Sequence, residues 1–209
     1  MGSGQGALSV PQGSKLSQVV DLSILIPTHT RDSHLLPSLI EVLNAQAEHS
    51  GLKIEILIDL DNGERTTGAK SNDLMAKAQG EYLCRFDSDD YPTLYYMSTL
   101  AAAIHQGVDC ASLRGIMTTN STTPELFEHS IRHDRYWTKE DAKHDEVKYF
   151  RFPNHLNCVK ASIAKQFKYP DLTISEDTDF ATQMFKSGLL KNEFYTDTVI
   201  YCYRYRPRK

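Results

Sequence analysis

Two acidic clusters in this 209-residue chain have the composition to do chemistry. In "CRFDSDDYP", Cys84 to Pro92, the residues Asp87, Asp89 and Asp90 put three carboxylates among four residues directly after an apolar run. Like charges so close repel, and unless solvent or a cation separates them at least one carboxyl has a raised pKa. A hard divalent ion relieves that repulsion, taking oxygen from one or two carboxylates and leaving its other positions to substrate phosphates. Side chains at i and i+2 on extended backbone point the same way, so Asp87 and Asp89 are expected to address one ligand while Asp90 caps the next helix. The second cluster is "TISEDTDFATQMF", in which Glu176, Asp177 and Asp179 open a helix. Each cluster alone has a plainer explanation, because an Asp caps many strand-to-helix turns and the helix dipole favours acids in a first turn.

Their positions in the chain argue for more. "LSILI", Leu22 to Ile26, reads as a strand buried on both faces and ended by Pro27. A helix follows, capped by Asp32 or Ser33, with Leu35, Leu36, Leu39, Ile40 and Leu43 at helical spacing until Gly51. The unit repeats with a strand over Lys53 to Leu60, a helix over Gly68 to Gln79 and a strand over Glu81 to Phe86, which predicts right-handed crossovers. Tyr91 to His105 reads as a helix and Asp109 to Met117 as a strand. Ser121 to Lys148 is polar and reads as a long excursion with short helices, in which Tyr136 and Trp137 either stack on a ligand or anchor the loop. A strand at Val147 to Phe152, helices near Lys160 to Gln166 and over Glu176 to Ser187, and final strands within Glu193 to Tyr205 complete the chain. The fold class is therefore α/β, a mainly parallel, Rossmann-like central sheet with helices on both faces. Ligands bind such sheets beyond the carboxyl ends of the strands. Pro27, Thr28, His29, Thr30 and Arg31 follow strand one, Asp59, Asp61 and Asn62 follow strand two, and the Asp87–Asp90 cluster follows strand three, so all three converge.

Composition sets the frame. At 40% hydrophobic and 24% charged the chain reads as one globular domain over 21–209, after a Gly- and Ser-rich segment, 1–20, expected to be flexible. No window approaches the roughly 18 to 20 apolar residues of a membrane span and no secretion signal is evident, so the expectation is a cytoplasmic protein. Cys84, Cys110, Cys158 and Cys202 lack metal-binding spacing and are expected to be packed thiols. A net charge of −4 gives no general attraction to nucleic acid, although "YRYRPRK" at the end gathers Arg204, Arg206, Arg208 and Lys209.

Taken in order, "SILIPTHTRDSHLLPSLIEVLNAQ", "IDLDNGERTTGAKSNDLMAKAQGEYLCRFDSDD" and "SEDTDF" resemble the family 2 glycosyltransferases of the GT-A fold, over roughly 22–205. The matching residues are Pro27-Thr28, Asp59 or Asp61, the run Gly68, Lys70, Asn72, then Ala78, Gly80, Glu81, Tyr82, then Asp87 and Asp89, and the Glu176-Asp177 pair. Ser71 stands where the family often has Arg, and Ser175 where a Gly commonly precedes the Glu-Asp pair.

The resemblance implies a nucleotide-binding half over 21–118 and an acceptor and catalytic half over 119–209. It implies a nucleotide-diphosphate sugar donor, expected to be a UDP-sugar, contacted by Pro27, Thr28, Arg31, Asp59, Lys70, Asn72, Asp87 and Arg204. A Mn²⁺ or Mg²⁺ ion would sit at Asp87 and Asp89, with His155 as a third ligand or an acceptor contact. Asp177 would be the general base of an inverting transfer and Glu176 would contact an acceptor hydroxyl. The acceptor stays open between a glycan, a protein, a small metabolite and a modified base in DNA, as does oligomerisation. Two other classes remain beside this one: a non-catalytic sugar- or nucleotide-binding module, and a nucleotidyltransferase, which would want a Gly-rich loop where "PTHTRDSHLL" has no glycine.

Overall fold

A strand with apolar residues on both faces needs cover on both, and β1 (Leu22–His29) has it. The computed structural model describes residues 19–135 and 147–206. Leu22, Ile24 and Ile26 join one core with α1 (Leu36–Ser50) and α3 (Tyr96–Gln106). Leu25, on the opposite face, joins a second core with α2 (Thr67–Lys77) and α5 (Glu176–Ser187). β2 (Ile54–Asp61) and β3 (Tyr82–Arg85) flank β1, both parallel to it, so the two predicted crossovers are present.

Where one sheet was expected, the described strands form two. The first has the order β10-β5-β9-β3-β1-β2, with β5 at Cys110–Ala111, β9 at Val159–Lys160 and β10 at Glu193–Phe194. The second has the order β4-β11-β6-β7-β8, with β4 at Tyr91–Pro92, β6 at Leu113–Thr119, β7 at Glu125–His129, β8 at Val147–Arg151 and β11 at Val199–Tyr205. The chain passes from the first sheet to the second between β3 and β4, between β5 and β6, and between β10 and β11. The expected halves interleave: β9 lies inside the first sheet and β6 inside the second.

Several boundaries differ from the sequence reading for local reasons. β1 runs through Pro27 to His29. The Leu25 carbonyl accepts from the Phe86 N–H on the β3 side, and Pro27, two residues on, faces that side beyond the end of β3, where no ladder partner misses its N–H. The helix after β1 starts with a 3₁₀ turn, Thr30–Leu35, whose cap is the His29 ring accepting from the Arg31 N–H at 3.0 Å, and not Asp32 or Ser33. Tyr91 and Pro92 pair with β11 instead of starting α3. The polar excursion contributes a strand, β7, antiparallel to β6. Tyr136, Trp137, Arg208 and Lys209 lie outside the described residues. Cys84, Cys110 and Cys158 are buried free thiols and Cys202 is a half-buried one. Among the described residues no helix is long and apolar enough to cross a membrane.

Two motif glycines are explained by close approach. A Cβ on Gly68 would meet the Pro170 carbonyl oxygen at 1.9 Å, and one on Gly80 would meet the Ser23 nitrogen at 2.5 Å. The first seats the 170–172 loop on the start of α2, where the Gly68 N–H donates to the Leu172 carbonyl; the second seats the α2–β3 turn on β1.

Candidate active site

The acidic cluster occupies the first crossing between the sheets. The Asp90 N–H donates to the Asp87 carbonyl at 3.0 Å, closing a turn, so the extended-backbone argument for Asp87 and Asp89 does not apply. Asp90 caps no helix. It is buried and accepts from the Tyr201 hydroxyl and the Arg204 N–H, both at 2.8 Å, which ties the turn to β11. Burial, and then the charge of Asp87, push its pKa well above the carboxylate range. The Asp89 carbonyl accepts from Arg204 Nε, and the Arg204 guanidinium lies 4.5 Å from the centre of the Tyr91 ring. Ser88 and Thr28 share a hydroxyl hydrogen bond of 2.7 Å, fastening the turn to the end of β1.

The two acidic clusters meet through a residue the sequence reading did not single out. Arg85 alternates with Tyr82, Cys84 and Phe86 along β3 and so faces α2 and α5, where it is 6% exposed. One of its nitrogens lies 3.0 Å from Glu176 Oε1 and another 3.2 Å from Asp87 Oδ1. His155 continues the chain of contacts, with Nε2 3.5 Å from Asp87 Oδ2 and Nδ1 3.5 Å from Asp177 Oδ2. Burial alone would raise the pKa of Asp87, but Arg85 first and then His155 outweigh it and hold the carboxyl well below the usual range. Neighbouring carboxylates likewise push Arg85 up against the opposing effect of burial. Asp177 keeps a quarter of its side chain exposed, while Glu176 is buried. Glu176 is therefore an anchor for Arg85. A lone Arg in an otherwise apolar strand was the available signal, since a charge buried there must be paired.

The remaining predicted contacts divide. Lys70 is 4% exposed and donates to the Thr28 carbonyl at 2.6 Å and to Asp61 at 2.8 Å, so it braces the end of β1. The hydrogen bond from Lys70, opposed by burial, holds Asp61 below its ordinary pKa. Asn72 forms a two-way clip with the backbone of Tyr169, donating to its carbonyl at 2.8 Å and accepting from its N–H at 3.0 Å. Tyr169 in turn stacks on Phe180 at 4.1 Å and lies 5.8 Å beneath the Arg85 guanidinium, so Asn72 acts on the site through Tyr169. Asp59, opposite Pro27 in the β1–β2 register, pairs with Arg65 at 2.7 Å. Arg31 is exposed and pairs with Asp32 at 3.1 Å. Ser175, just before the Glu-Asp pair, adopts φ +66°, the left-handed conformation that a glycine adopts without strain.

Among the described residues no group of three or more His, Cys, Asp or Glu is placed to hold an ion, so His155 does not complete a set with Asp87 and Asp89; its ring lies between Asp87 and Asp177 instead. A Mg²⁺-like ion needs only one or two carboxylates when substrate phosphates supply the rest, and Asp89 fits that role. Burial, then Asp87 and Asp32, raise its pKa, which a cation would reverse.

Beyond Asp177 a small cleft opens against the second sheet, lined among others by Phe127, His129, Tyr149, His155, Asp177 and Tyr203.

No protein-family model matches the chain, and no curated protein matches it in sequence. Solved structures do match it in shape. Residues 1–349 of S. aureus TarS in complex with UDP-GlcNAc align with a TM-score of 0.61 at 15% identity, covering 91% of this chain and 60% of that one. The same TarS fragment with UDP gives 0.60 at 15% identity, covering 89% and 61%. The catalytic domain of Drosophila beta1,4-galactosyltransferase 7, in complex with xylobiose, gives 0.50 at 13% identity, covering 87% and 66%. The chain thus spans about 60% of the TarS fragment it matches. Its fold is GT-A-like, a mixed α/β arrangement of two sheets flanked by helices.

Proposed function

We propose that this chain transfers a sugar from a nucleotide-diphosphate donor to an acceptor hydroxyl with inversion, and that the donor is a UDP-sugar. The observation that carries the proposal is the approach of Asp87 and Asp177, from distant parts of the sequence, to opposite nitrogens of one imidazole at the carboxyl end of β3. The UDP-GlcNAc and UDP complexes of the similarly folded TarS support a uridine donor.

In this reading the donor lies across the ends of β1 to β3, near Thr28, Arg31 and Asp59, with Arg204 toward the diphosphate. Asp177, with a quarter of its side chain open and the His155 ring beside it, takes the proton of the acceptor hydroxyl as its oxygen attacks the anomeric carbon. The bond to the diphosphate breaks on the opposite face, so the configuration inverts. General-base help of this kind contributes about 10²- to 10⁴-fold in rate. Asp89 with Asp87 would hold a Mg²⁺ or Mn²⁺, which would supply charge neutralisation for the departing diphosphate. Arg85 keeps Glu176 and Asp87 in fixed positions on either side of the base, and Lys70 and Asn72 hold the walls.

The test is a melting-temperature screen of the chain against nucleotide sugars with and without Mn²⁺, followed by a transfer assay with whichever donor stabilises it. A UDP-sugar is expected to raise the melting temperature. No shift with any nucleotide sugar overturns the proposal.

A further inference from the structure

The two acids of the Glu-Asp pair each face Asp87 across one intermediary side chain. Glu176 Oε1 lies 3.0 Å from Arg85, which reaches Asp87 Oδ1 at 3.2 Å on its other side. Asp177 Oδ2 lies 3.5 Å from His155 Nδ1, and the same ring reaches Asp87 Oδ2 at 3.5 Å through Nε2. Yet among the described residues no three such groups are placed to hold one ion, so Asp87, His155 and Asp177 converge on no common point and stand in a row with the imidazole in the middle. The loop that carries the ring is fastened to the first sheet. The His155 carbonyl accepts from the Arg85 N–H at 2.9 Å. Asn154 Oδ1 accepts from the Leu156 N–H at 3.0 Å, Asn157 Oδ1 accepts from the Asn154 N–H at 3.0 Å, and Asn157 Nδ2 donates to the Ala111 carbonyl at 2.9 Å. His155 and both asparagines are buried, and a buried polar network satisfied in this way is rigid.

From this arrangement we infer that His155 is a positioning residue, whose ring holds the Asp177 carboxylate off the cation site at Asp87 and Asp89 and so keeps Asp177 free to act as the base. A hard divalent ion gathers carboxylate oxygens, and an acid that becomes its ligand is held in the charged form and no longer takes up a proton. A Mg²⁺-sized ion binds oxygen at about 2.0–2.1 Å, so two carboxylates that share it must bring their oxygens within about 4 Å of each other. Glu176 is kept from such an approach by the Arg85 guanidinium, and Asp177, its neighbour in the chain, by the His155 ring. The inference rests on the glycosyltransferase reading, with Asp177 as its base, and adds what keeps base and cation apart.

The experiment uses the intact chain. Titrations with Mn²⁺ alone, read by the electron spin resonance of the free ion, compare the native protein with His155→Ala, which removes the ring. The variant is expected to bind Mn²⁺ more tightly, by about threefold or more, because Asp177 joins the ion. The double variant His155→Ala, Asp177→Asn is expected to lose that gain. With the UDP-sugar that stabilises the chain, and water as the acceptor, His155→Ala is expected to lower the kcat of donor cleavage by about tenfold or more and to change the donor KM less than about twofold. His155→Phe, which keeps a ring between the two carboxylates, is expected to bind Mn²⁺ within about twofold of the native protein and to turn over about fivefold faster than His155→Ala or better. Should His155→Ala not fold, His155→Ser removes the ring as well and is read in the same way. Mn²⁺ binding that is weaker or unchanged without the ring, a gain that persists without Asp177, an undiminished kcat in His155→Ala, or a His155→Phe as slow as His155→Ala overturns the inference. A native chain that neither binds nor cleaves any nucleotide sugar overturns the underlying reading instead, and the Mn²⁺ titrations still decide whether the ring keeps Asp177 from the ion.

Discussion

Replacing Arg85 with Met keeps the length and apolar stem of the side chain and deletes its charge. The guanidinium is buried between Glu176 at 3.0 Å and Asp87 at 3.2 Å, and Glu176 has no solvent to fall back on. Breaking a buried pair by removing one partner costs about 3–5 kcal/mol, because the other charge is left uncompensated. For a chain of this size each kcal/mol moves the melting temperature by about 2–4 °C, so Arg85→Met is expected to melt roughly 6–20 °C lower by circular dichroism at pH 7. The double variant Arg85→Met, Glu176→Gln removes the stranded charge and is expected to recover a large part of that loss. Acid sensitivity changes too. Asp87, depressed in the folded state mainly by Arg85, contributes stability that is fully present above its unfolded pKa of about 3.9 and is lost as pH falls through its lower folded value. The native protein should therefore weaken below about pH 4, and Arg85→Met should weaken less steeply there. A single variant that melts within about 2 °C of the native protein, or a double variant no more stable than the single, refutes the argument that this pair holds the site together.

Other expectations follow from the same geometry. Asp177→Asn should lower transfer by about 10²- to 10⁴-fold and leave the donor Kd unchanged by calorimetry; normal turnover removes Asp177 as the base. Asp89→Ala should weaken donor binding in the presence of Mn²⁺ and change it little without the ion, in paired titrations. Asn72→Ala strips two hydrogen bonds from the Tyr169 backbone and should lower stability by about 1–2 kcal/mol in urea melts. Ser175→Gly relieves a left-handed φ of +66° and should raise stability by up to about 1 kcal/mol, the gain being limited by the greater freedom of glycine in the unfolded chain.

The strands and helices with strong periodicity were legible in the sequence, because β1, β3, α2 and α5 each bury a continuous face and their residues say so. The approach of Asp87 to Asp177 was legible only as a consequence of resemblance. What escaped was non-local. Nothing near Asp90 announces Tyr201 and Arg204, whose contacts turn an expected helix cap into a cross-sheet tie. Lys70 and Asn72 sit at positions where the resemblance implies ligand contacts, yet their partners are Asp61 and Tyr169, a choice made by packing that spacing does not encode. The division into two sheets escaped for a related reason, since a single residue, Ser112, separates β5 from β6, and a one-residue step leaves no mark in a hydrophobic pattern.

The position of β11 has a kinetic consequence. Although formed by residues 199–205, it is an inner strand, seated between β4 and β6, and it carries both groups that grip the Asp90 carboxylate. Pairings of such large sequence separation close late, after the local strand–helix units have formed. A refolding experiment is therefore expected to recover helical signal first and nucleotide binding last, with the acidic turn still loose in the interval between them.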